Sequence, residues 1–60
     1  MRLNAKLIKL LRISKGMRQK EFSHSLGIST TKLSFIENGI NPVTPELDDR
    51  IREIFRVDDV

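Results

Sequence analysis

Three glycines, Gly16, Gly27 and Gly39, cut the apolar periodicity of this chain into segments too short to hold a helix alone in water. From Leu3 to Ser14, apolar residues at Leu3, Leu7, Ile8, Leu10, Leu11 and Ile13 give a wide stripe at helical spacing, with Arg2, Lys6 and Lys9 on another side. This predicts a first helix that Gly16 ends. A second runs from about Arg18 to Leu26, with Phe22 and Leu26 one turn apart and Met17 entering just before it. Gly27 supplies a residue able to take positive φ, and Ser29 is a good N-cap for a third helix over about 29–38, which Asn38-Gly39 stops. After a loop from Ile40 to Val43, Thr44 is a candidate N-cap, Pro45 suits the first helical position, and Glu46, Asp48 and Asp49 complement the helix dipole. Leu47, Ile51, Ile54 and Phe55 form the apolar side of this fourth helix, which should end near Val57. No segment alternates as a strand does. The expectation is an all-α domain of four short helices occupying residues 1–60.

A chain of 60 residues buries only about 60% of the surface its unfolded form exposes. With no cysteine there is no disulfide or thiolate metal site to compensate, so stability must come from helix packing or a partner subunit. Cysteine usage fits a reducing, cytoplasmic setting. No apolar run approaches the roughly 20 residues of a membrane span. The basic amphipathic start would also suit a membrane surface or a presequence, but three further periodic segments follow with short connections.

Charge is unevenly placed. Residues 1–20 carry seven bases and no acid, whereas residues 40–60 carry six acids against three bases. A basic half of this kind suits a phosphate-bearing partner, although a solvated face has the same appearance in sequence. The third helix adds a sharper signal. With Leu33 and Ile36 inward, Thr30, Thr31, Ser34 and Phe35 remain on the outward side, and a tight glycine turn joins helices two and three. That is a helix-turn-helix arrangement, in which the third helix offers hydroxyls and methyl groups to base edges in a major groove. Catalysis finds little support: His24 is the single histidine, and Asp48 with Asp49, and Asp58 with Asp59, are adjacent acids that do not face one another on a helix. No enzyme activity, metal site or cofactor is expected.

The stretch KGMRQKEFSHSLGISTTKLSFIENG, with Gly16, Gln19, Phe22, Gly27, Ile28, Ser29, Leu33, Ser34, Ile36, Glu37 and Gly39, resembles the lambda-repressor-like (XRE-type) helix-turn-helix family of phage repressors and bacterial regulators. The resemblance covers residues 3–57. It implies base contacts from Thr30, Thr31 and Phe35, and from Asn41 in the loop NGIN. It implies phosphate contacts from Gln19, Lys32, Ser34 and Asn38, with Lys9 and Lys15 as further candidates. Arg12 and Glu37 match a partly buried ion pair that pins the first helix to the end of the third. For several of these the residues also permit a plainer reading: Thr30 and Thr31 as solvated helix-start threonines, Phe35 as a protein contact or partly buried, Asn41 as a turn former before Pro42.

Four departures from the family pattern stand out. Arg18 replaces the usual Ser or Thr cap of the second helix, Ser23 replaces a usual alanine where helices two and three approach, and Ile40 stands where a base is common. The usual fifth helix would be truncated, which leaves the fourth to be covered by a partner subunit or by further chain. The resemblance implies a cytoplasmic, bacterial or phage-encoded transcription regulator, a repressor acting as a homodimer on a double-stranded DNA operator. The alternative is a protein-interaction module, antitoxin-like or adaptor, that keeps the fold and binds a protein partner over the fourth helix.

Overall fold

The computed structural model describes residues 3–56. Among them lie four helices, α1 (Ala5–Ser14), α2 (Gln19–Leu26), α3 (Thr30–Glu37) and α4 (Pro45–Phe55), and no strand. Arg2, Val57, Asp58 and Asp59 fall outside the described residues.

Each helix begins where a side chain satisfies an otherwise orphaned backbone N–H. Asn4 accepts from the Leu7 N–H at 2.9 Å, Ser29 from Lys32 at 3.0 Å, and Thr44 from Leu47 at 3.2 Å with Pro45 behind it. The cap at Asn4 corrects the expected start at Leu3: Asn4 is extended, and α1 begins at Ala5. Leu3 instead packs into the core, and its N–H donates to Asp48 Oδ2 at 3.3 Å, tying the start of the chain to α4. Arg18, at the head of α2, has no side-chain acceptor to offer. Glu21 compensates, its Oε1 accepting the Arg18 N–H at 3.0 Å, so the helix keeps one half of a capping box.

Ile8, Phe22, Leu26, Leu33, Ile36 and Ile51 form a fully buried centre, with Leu3 and Leu47 at its edge. α3 packs on α1 and α2, and α4 packs on α2. Phe55 stacks on Phe22, ring centroids 4.9 Å apart, which brings the end of α4 to the core. The apolar stripe of α1 is narrower than its sequence predicts. Leu10 and Ile13 are 51% and 55% exposed. At 3.6 residues per turn they lie roughly 160° and 140° around the helix from Ile8, beyond the reach of the elements that cover it. Ile54 on α4 is also largely open, and α4 ends at Phe55 with Arg56 in the left-handed region, two residues before the expected Val57.

Candidate nucleic-acid interface

The turn between α2 and α3 sets the geometry of the outward helix. Gly27 has φ 71°, and the Gly27 and Ile28 N–H groups donate to the carbonyls of His24 and Ser23, closing α2 in a Schellman-type cap. The Leu26 carbonyl accepts from Arg50 Nη1 at 2.8 Å, so α4 holds the end of α2 from outside. Sequence reading missed Arg50; an arginine in the middle of an acidic helix gives no local sign that it reaches a carbonyl 24 residues away.

A polar hub holds α3 from within. Glu37, at its end, is 9% exposed. Its Oε2 accepts from Arg12 Nε at 2.8 Å and its Oε1 from Arg12 Nη2 at 3.2 Å and Gln19 Nε2 at 3.1 Å. Arg12 Nη1 also donates to the Met17 carbonyl at 3.0 Å. One carboxylate thereby joins α1, the loop after it, α2 and α3. The arrangement is saturated in the way a buried charge requires. Gln19, half-buried, uses one of its two amide protons here and keeps the other.

On the opposite side of α3 the side chains run outward. Thr31, Phe35 and Asn38, four and three residues apart, are exposed and form one stripe, with Phe35 42% accessible. Thr30 is exposed at the helix start, where its Oγ1 lies 3.2 Å from Ser23 Oγ. Ser34 is half-buried and accepts from Asn38 Nδ2 at 3.4 Å. Gly39, with φ 77°, folds the following loop back, so that the N–H groups of Ile40 and Asn41 both meet the Phe35 carbonyl, at 2.8 and 3.2 Å. Asn41 is thus brought beside the end of α3, while Ile40 stands 67% exposed. Lys32 points elsewhere: it lines a cleft of about 170 Å³ with Ile28, Ile36, Leu47 and Arg50, between α3 and the start of α4. Lys9 and Lys15 are exposed at the middle and end of α1.

The family model described as helix-turn-helix matches residues 8–58, and the chain belongs to that family, with the lambda-repressor-like form of the fold. The family is one of DNA-binding domains. Neither a curated protein nor a solved structure matches the chain significantly. No helix among the described residues is long and apolar enough to cross a membrane, and no described group of histidines and acids could hold a metal ion.

Proposed function

We propose that the chain is a sequence-specific DNA-binding transcription regulator that lays α3 in the major groove and represses by occluding promoter DNA. The observation that carries this reading is the two-sidedness of α3, fixed from within by Glu37 and open along Thr31, Phe35 and Asn38. An α-helix with its side chains is about 10–12 Å in diameter, which suits the roughly 12 Å width of the major groove. Thr30 and Thr31 offer hydroxyls and methyl groups, and Phe35 offers an apolar edge suited to thymine methyls. Gln19 has a second amide proton for a phosphate, and Lys9, Lys15, Ser34 and Asn38 supply further donors near the same helices. Lys32 contributes to the field around the start of α3, and Asn41 meets a base edge or the sugar-phosphate beside Phe35.

The regulator acts in the cytoplasm as a homodimer of single-domain subunits on a two-fold operator. The open side of α4 around Ile54 supports that pairing. Selection of bound duplexes from a random pool tests the reading. The expected result is enrichment of inverted half-sites about one helical turn apart, with affinity falling steeply as salt rises. Exposed Ile40 beside Phe35 favours a second reading, a protein-binding module. Absence of enrichment from folded protein, with association to a protein partner that barely responds to salt, would establish that reading instead.

A further inference from the structure

Ser23 is 2% exposed and carries a hydroxyl where α2 meets the start of α3. Its Oγ lies 3.0 Å from the Lys20 carbonyl oxygen and 3.2 Å from Thr30 Oγ1. A serine has one proton to donate, and a carbonyl can only accept. Both contacts are satisfied together only when the Ser23 proton lies on the Lys20 carbonyl and Thr30 donates its own proton to Ser23. The reverse assignment would set two acceptor oxygens against each other at 3.0 Å. Thr30 is therefore an exposed threonine whose proton is turned into the protein and whose remaining lone pairs are available outside. Because threonine is β-branched, fixing the hydroxyl fixes the direction of its methyl group as well.

We propose that Ser23 is a positioning residue for base recognition, holding Thr30 as a hydrogen-bond acceptor so that the base it meets must present an exocyclic amine. This rests on the DNA-reading role proposed above. In the major groove, adenine N6 and cytosine N4 are donors, whereas guanine O6 and N7 and thymine O4 are acceptors. A threonine free to rotate its hydroxyl serves either kind. One whose proton is engaged by Ser23 meets guanine with lone pair against lone pair. The serine that stands where the family usually has alanine would then set a base preference without touching DNA.

The test compares duplexes selected by the full chain with those selected by S23A, T30V and the double variant, each first checked for parent-like helicity and melting. The parent should disfavour guanine at one half-site position by roughly fivefold relative to adenine or cytosine. S23A should remove that preference at that position and leave the others intact. In the T30V background, adding S23A should change nothing. An S23A profile identical to the parent's overturns the proposal, as does an even weakening at every position, which would mark a packing role alone. Should S23A fail to fold, T30V decides, since a guanine penalty that survives it cannot come from Thr30. A parent that enriches no sequence at all defeats the DNA-reading role itself, and the proposal falls with it.

Discussion

The two sides of α3 meet different surroundings, the inner one the core and the outer one solvent. Its inner side buries Leu33 and Ile36 and ends on Glu37, whose two carboxylate oxygens take three donor contacts from two other elements. Its outer side carries Thr31 and Phe35, exposed and with no hydrogen bond from either side chain among the described residues. Its inner residues are held by the core and by the Glu37 hub, whereas on the outer side Thr30 is tied to Ser23 and Thr31 and Phe35 stand open. The rigid inner side gives the outer side a fixed orientation, which a recognition surface needs so that ordering entropy is not lost on binding.

Substitution on each side should separate folding from binding. Glu37→Ala should have the largest effect, destabilising the chain by about 3 kcal/mol or more, because the Arg12 guanidinium would be left buried without its partner. Equal urea midpoints for variant and parent would show that the hub does not hold α3. Phe35→Ala should leave the midpoint nearly unchanged and weaken binding to a selected duplex about tenfold, close to 1.4 kcal/mol. A loss of stability with unchanged affinity would place Phe35 with the core instead. Gly27→Ala should cost about 1 kcal/mol, because an L residue is strained at φ 71° even though its Cβ would meet only Arg50 Nη1, at 3.8 Å. Arg50→Met should cost slightly less, about 1 kcal/mol or under, through the lost hydrogen bond to the Leu26 carbonyl, and thermal melting is the readout. The smallest change is expected from Lys9→Gln or Lys15→Gln. Each should lower the slope of log affinity against log salt by about one without altering which sequence is preferred.

The helices, their caps and the turn could be read from the sequence because local rules decide them. Ser29, Thr44 and Pro45 act within one turn of themselves, and Gly27 is needed wherever the backbone takes a left-handed step. Leu10 and Ile13 were beyond that reach. Helical spacing tells which residues share a side, but the width of the buried stripe depends on how many neighbours arrive to cover it, and α1 has fewer than six apolar residues would fill. Asp48 shows the same limit. As a first-turn acid its dipole role is visible in sequence, and so is its pairing with Arg52 four residues on, but not its acceptance of the Leu3 N–H across 45 residues. The outward residues of α3 were legible from spacing, whereas the hydrogen-bond link from Ser23 to Thr30 needed the approach of two helices, which no local pattern encodes.

Amide and methyl chemical-shift mapping of the isotope-labelled full chain against a selected duplex puts the division of α3 to the most direct test. The largest perturbations should cluster on Gln19, Thr30, Thr31, Phe35, Asn38 and Asn41, while Ile36 and Leu33 methyls keep their free-state positions. Perturbations centred instead on Leu10 and Ile13, or on Ile54 of α4, with the outer side of α3 unmoved, would contradict it.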